Sequence, residues 1–161
     1  MRKLDIPDLK LLDAVQKNAR LTADQMSEVC GLSPTAALKR LKKLRSDGII
    51  ENEVAIVSPK AVGQTVLVIV LVTLERENKD VVDSFKRAIR ATENIMQGYY
   101  ITGDADFVLM ISAQDMEAYE EFTREFFYDQ HRIKTFKTLV VLDRVKSGHA
   151  LPILSETPFS S

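Results

Sequence analysis

Between Ser33 and Asp47 the chain places five cations, Lys39, Arg40, Lys42, Lys43 and Arg45, against a single acid, Asp47. Cations at that density on one short segment attract the phosphates of a duplex, which is the sequence-independent part of nucleic-acid binding. Ser33 and Pro34 open the segment as helix cap and first helical residue. Leu38, Leu41 and Leu44 recur every three residues with Ala37 beside them, so this face is expected to be buried. Thr35, Ala36, Lys39, Lys43 and Ser46 then point outward, with Arg40 and Lys42 on the flanks. On that arrangement Lys39, Arg40, Lys42 and Lys43 reach phosphates or base edges, and Ser33, Thr35 and Ala36 approach from the N-terminal end of the helix.

A second chemical cluster is the turn Thr102-Gly103-Asp104-Ala105-Asp106. Gly103 frees a backbone amide for close approach, and Asp104 or Asp106 can pair with an ammonium group. The same residues equally suit a hairpin whose aspartates cap their own backbone. Little else points to catalysis or metal binding. His131 and His149 stand apart in polar contexts, Ser33 is a cap rather than a nucleophile, and Cys30 is alone. A lone cysteine between Val29 and Gly31 reads as a small core residue and excludes a disulfide framework or a cysteine zinc site. No glycine-rich phosphate loop occurs, so no cofactor is expected.

The elements that must position the basic helix are legible upstream. Thr22 and Gln25 form a capping-box pattern that starts a helix carrying Met26, Val29 and Cys30 on its apolar face. Gly31 ends that helix, and only Gly31 and Leu32 separate it from Ser33, which suits a helix-turn-helix. Asp5, Pro7 and Asp8 announce an earlier helix with Leu11, Leu12, Val15 and Ala19 on one side. After Gly48, Ile49 to Val57 reads as a strand or hairpin interrupted by Glu51-Asn52-Glu53, a wing. Residues 1–57 are therefore expected to form a winged helix-turn-helix.

Residues 58–65, with Ser58-Pro59 and Gly63, read as a linker. Beyond it the pattern repeats. A strand spans Val66 to Leu74, a helix Asp80 to Ala91 with Val82, Phe85 and Ile89 inward, and a strand Ile95 to Ile101. A strand Phe107 to Ser112, a helix Asp115 to Tyr128 and a last strand Thr135 to Val145 follow. This is a ferredoxin-like βαββαβ unit over residues 66–153, an antiparallel sheet with helices on one face, giving an α+β chain overall with a loose tail at 154–161. The run Val66 to Val72 is apolar at every position, so the second sheet face is expected to be covered by a partner sheet. Val70, or else Val68, is expected to face that partner.

The 161 residues carry a net charge of −1, but the halves differ. Residues 1–63 hold 11 Lys+Arg and 8 Asp+Glu, or +3; residues 64–161 hold 11 and 15, or −4. Nucleic-acid affinity is thus expected in the first part. No apolar run approaches the roughly 20 residues that cross a membrane, and no signal-peptide pattern follows Met1-Arg2-Lys3. A reducing cytoplasm is the expected setting.

These motifs, in this order, resemble the Lrp/AsnC family of feast/famine transcription regulators. Leu4-Asp5 with Asp8, Leu11 and Leu12 matches the family's opening pattern. Gly31-Leu32-Ser33, Arg40-Leu41, Leu44 and Gly48-Ile49-Ile50 match its helix-turn-helix. Gly103 to Asp106 and Thr138 to Val141, with Val145-Lys146, match its effector-domain signature. The resemblance implies a double-stranded DNA partner, a homodimer joined through the sheets, and often an octamer of four dimers. It also implies a free amino acid or similar small effector bound between dimers near Thr102, Gly103, Asp104, Ala105 and Asp106, with Tyr100 close by and Leu139, Val140 and Val141 involved in the response. On this basis Asp106→Ala is expected to stay folded and to lose the response. Ala105 departs from the aromatic residue common there. Two alternatives stay open: an architectural protein that wraps DNA without an effector, and an enzyme akin to the haem-biosynthesis decarboxylases of similar fold.

Overall fold

The computed structural model describes residues 3–75, 78–128 and 132–153. They divide into two units: the described residues up to Ala55 together with those from Lys146 onward, and Ile56–Val145.

The first unit contains three helices, α1 (Ile6–Val15), α2 (Ala23–Cys30) and α3 (Pro34–Ser46). Each begins where its sequence says, because each has a local polar cap. Asp5 and Asp8 make a reciprocal capping box for α1, and Thr22 and Gln25 one for α2. Ser33 Oγ accepts the Ala36 N–H at the start of α3. Leu11, Leu12, Val15, Met26, Cys30, Ala37, Leu41 and Leu44 form the buried core. Several expectations fail here, Ala19 among them, which is exposed and lies beyond the end of α1. Leu38 is 48% exposed rather than buried, and Val29 is also exposed. The wing is absent as a strand: residues 49–58 make no ladder. Ile49 and Ile50 instead turn back, both donating to Leu44 O, and lie against the three-helix core. With Glu51-Asn52-Glu53 in the middle, no two stretches are long enough to pair.

The C-terminal residues join this unit. Gln16 Nε2 donates to Leu151 O, and Leu151 N–H donates to Gln16 Oε1, both at 2.8 Å. Ile153 packs on the three-helix core. The described residues from Lys146 onward thus group with the first unit.

The second unit is a four-stranded sheet in the order β2-β3-β1-β4, every pair antiparallel. Its elements are β1 (Val66–Leu74), α4 (Lys79–Ala91), β2 (Ile95–Tyr100), β3 (Phe107–Ala113), α5 (Met116–Thr123) and β4 (Ile133–Val140). A wider helical turn, Arg124–Tyr128, extends α5. β4 ends at Val140 instead of Val145 because β1, its ladder partner, runs out: Val141 N–H still reaches Leu67 O, and nothing follows.

Burial along β1 alternates, and it decides which face is which. Val68, Val70, Val72 and Leu74 point to the helices and pack with Phe85, Phe107, Leu109, Ile111, Tyr119 and Phe126. Leu67, Ile69 and Leu71 point the other way. Across the ladders Leu71 stands beside Val108 and Lys137, and Ile69 beside Met110 and Leu139. Val68 and Val70 therefore do not face a partner sheet; being two residues apart they share one face, the core. The open apolar face consists of Leu67, Ile69, Leu71, Val108, Met110 and Leu139, and neither described helix of this unit, α4 or α5, packs on it.

Candidate nucleic-acid interface and ligand site

α3 is held as a rigid rod. Its N-terminus is capped by Ser33, its C-terminus is closed by Gly48 at φ +68°, and Ala37, Leu41 and Leu44 anchor its inner face. The turn before it is pinned by Gly31 at φ +70° and by Ser27, whose hydroxyl donates to Leu32 O. A side chain would be strained at either positive φ, so Gly31 sets the turn from α2 into α3 and Gly48 sets the chain's exit from α3.

Thr35, Lys39, Lys42 and Lys43 are exposed, Ser33 is exposed at the N-terminal end, and Ala36 is partly so. No ion pair among the described residues engages Lys39, Lys42 or Lys43. Three ammonium groups thus remain free for anions on one face of one helix.

Arg40 is placed differently. Its guanidinium lies 2.8 Å from Asp5 and 2.8 Å from Asp8, the two residues that cap α1. The Asp8 side chain is only 1% exposed. The hydrogen bonds that Arg40 donates to Asp8 and Asp5 hold its pKa above the ordinary value. The Asp8 backbone N–H, and then Arg40, hold the Asp5 carboxyl below its ordinary range. Arg40 therefore ties the third helix to the first, and its charge is already neutralised. Arg45, at the far end of α3, pairs with Glu53 at 2.7 Å. Sequence reasoning missed both pairs because their partners lie in other segments of the chain.

The second cluster, the turn between β2 and β3, is closed by Ile101 N–H donating to Asp106 O at 2.9 Å. Thr102, Gly103 and Asp104 are exposed, and Ala105 is half-buried. Asp106 is 8% exposed, and its Oδ2 accepts the Leu74 N–H at 2.6 Å. That carboxylate caps a backbone group of β1, 32 residues away, rather than the backbone of its own hairpin, and Asp104 is the exposed acid of the turn. Tyr100 pairs with Phe107, and its ring lies 4.9 Å from that of Phe107 with Lys86 of α4 above it. It therefore belongs to the helical side of the sheet, whereas Tyr99 stands beside Val108 on the open face.

Leu139, Val140 and Val141 lie elsewhere. Leu139 pairs with Ile69 on one side of β1, while Asp106 bonds Val72 O from the other side. Those β1 residues are separated by about 10 Å of strand. A single chain does not bring the turn and the end of β4 together.

Among the described residues no group of three His, Cys, Asp or Glu side chains could hold a metal ion. No described helix is long and apolar enough to cross a membrane. His149 is exposed and Cys30 is buried, while His131 lies outside the described residues.

Known proteins share this architecture. Residues 4–51 match the winged helix-turn-helix DNA-binding family profile, and residues 67–151 match the Lrp/AsnC ligand binding domain. An HTH-type transcriptional regulator of Sinorhizobium fredii is 61% identical over 151 residues, covering 94% of this chain and 89% of that one. The leucine-responsive regulatory protein of Escherichia coli K12 is 32% identical over 152 residues, covering 94% and 93%. The crystal structure of a Neisseria meningitidis transcriptional regulator in complex with L-Met superposes with a TM-score of 0.88 at 30% identity, covering 94% of this chain and 98% of that one. With its DNA-binding helices, its open antiparallel sheet and matches along both units, the chain belongs to the Lrp/AsnC family of transcriptional regulators.

Proposed function

We propose that this chain is a sequence-specific regulator that lays α3 in the major groove of double-stranded DNA and is tuned by a small amino acid. It acts in the cytoplasm as a homodimer or a higher homo-oligomer and carries out no catalysis. The observation that carries the DNA reading is the free cationic face of α3. Among the described residues Lys39, Lys42 and Lys43 have no acidic partner, and they stand on the side opposite Ala37, Leu41 and Leu44. Ser33, Thr35 and Ala36, at the N-terminal end of that face, approach the bases. Arg40 is withdrawn from this set, because Asp5 and Asp8 occupy it.

The dimer rests on the open sheet face, where Leu67, Ile69, Leu71, Val108 and Met110 form one apolar surface. Burying such a surface against its own copy removes it from water at about 25 cal/mol per Å². The effector reading rests on the separation of the turn from the end of β4. A ligand that touches Gly103 and Asp104 and also responds to Leu139, Val140 and Val141 must span two chains. Its ammonium group then pairs with Asp104, its carboxylate meets the free amide near Gly103, and Ala105 leaves room for a side chain. The L-Met complex of the Neisseria meningitidis regulator supports an amino acid as the class. Binding between chains changes assembly only as far as the ligand prefers one assembly, typically 1–3 kcal/mol.

Titrating a duplex against salt tests the DNA reading. Lys43→Ala should weaken binding to all sequences and lower the salt slope by about one. An unchanged slope removes α3 from the groove. A thermal-shift screen of the twenty amino acids, repeated on Asp104→Ala, tests the effector. If none stabilises the wild type, the architectural reading replaces it; if the variant responds normally, the site lies elsewhere.

A further inference from the structure

Leu38 is the one large apolar side chain exposed on α3, and it sits among polar neighbours. Thr35 lies one turn before it and Lys42 one turn after it, both exposed, with Lys39 next to it. Leaving half of a leucine in water is unfavourable, and α3 has no need of it for its core, which Ala37, Leu41 and Leu44 complete. Along α3 itself its exposed neighbours other than Pro34 are polar or charged, so no long apolar stripe runs along this side of the helix. The surrounding cations fit phosphate, and the apolar group that a duplex offers between its phosphates is the C5-methyl of thymine in the major groove.

We propose that Leu38 is a specificity-determining residue that packs on a thymine methyl group in each half of the bound site. The inference rests on α3 entering the major groove, as argued above. Backbone contacts from Lys39, Lys42 and Lys43 set the register, and Leu38 then discriminates thymine from bases lacking the methyl at one position.

The test uses the full chain and a duplex selected by it from random sequence. Each thymine is replaced singly by deoxyuridine, which removes only the methyl. At one thymine of each half the wild type should lose about fourfold in affinity, the value of one buried methyl-sized group. Leu38→Ala should bind the thymine and deoxyuridine duplexes equally, and Leu38→Met, which keeps an apolar tip, should retain the discrimination. If no thymine is sensitive in the wild type, the proposal is wrong. It is equally wrong if Leu38→Ala keeps the same sensitivity, since another group, such as the Thr35 methyl, then reads the base. If selection enriches no sequence at all, the groove placement of α3 itself fails, an outcome that the Lys43→Ala salt slope reports separately.

Discussion

Replacing Arg40 by alanine separates a residue that builds the DNA-binding unit from one that touches DNA. In the native unit Arg40 satisfies Asp8, whose carboxylate is almost wholly buried, and Asp5, which is exposed. Removing the guanidinium takes away one of that buried carboxylate's partners. For a fully enclosed pair that costs about 3–5 kcal/mol. Here the Arg40 side chain is 30% exposed, so water enters the vacated space, and the Asp5 N–H still reaches Asp8 Oδ2 at 3.3 Å. The loss of one charge-assisted hydrogen bond, about 2 kcal/mol, is the better measure. Amide hydrogen exchange reads it locally: the Leu11, Leu41 and Leu44 amides should exchange about 30-fold faster if they open with the unit. Arg40→Lys should recover only part, because a single ammonium cannot bridge two carboxylates as the planar fork does. The salt slope of DNA binding, measured where the variant is folded, should stay at the wild-type value. A slope lowered by about one with unchanged exchange would instead make Arg40 a phosphate contact and refute this account.

Three further outcomes follow from the geometry. Ile69→Lys should leave the chain folded and monomeric by light scattering, whereas Val70→Lys, which points into the helix-covered core, should unfold the sheet unit; a folded Val70→Lys monomer would reverse the assignment of faces. Asp106→Ala should cost about 1–3 kcal/mol in urea denaturation by orphaning the Leu74 N–H, with Asp106→Asn recovering most of it; equal stability of Asp106→Ala and wild type would deny the carboxylate that structural role. Because the folded Asp5 carboxyl lies below its ordinary 3.8, its contribution is fully present above that pH and is lost as pH falls below it. The acid limb of stability should accordingly be shallower in Asp5→Asn, and identical limbs would deny that linkage.

What the sequence made legible was local. The caps Asp5, Thr22 and Ser33 act on residues three positions away, so the starts of α1, α2 and α3 can be read directly. The order of strands and helices in the sheet unit was equally plain, because α4 and α5 carry helical periodicity between apolar strands. The misread features involve either degenerate patterns or distant partners. Every residue from Val66 to Val72 is apolar, so composition holds no information on which parity is buried, and only the register against β3 and β4 resolves it. Leu38 shares a three-residue spacing with Leu41 and Leu44, yet Leu38 and Leu44 lie about 120° apart around a helix of 100° per residue. Ala37 completes the buried face in its place. Arg40 finds its acids in α1, Asp106 finds its N–H on β1, and Gln16 finds Leu151 at the far end of the chain. None of these contacts leaves a mark on the neighbouring sequence.

The central claim, sequence-specific DNA recognition by the lysine face of α3, is tested most directly by mapping the bound sites across the genome. Wild-type protein should be compared with a Lys39→Ala/Lys42→Ala/Lys43→Ala variant whose fold is verified by circular dichroism. The account predicts discrete sites near promoters, sharing a motif with two-fold symmetry, and their disappearance in the folded variant. Undiminished occupancy of the same sites by the variant, or a wild type with no discrete sites, would contradict it.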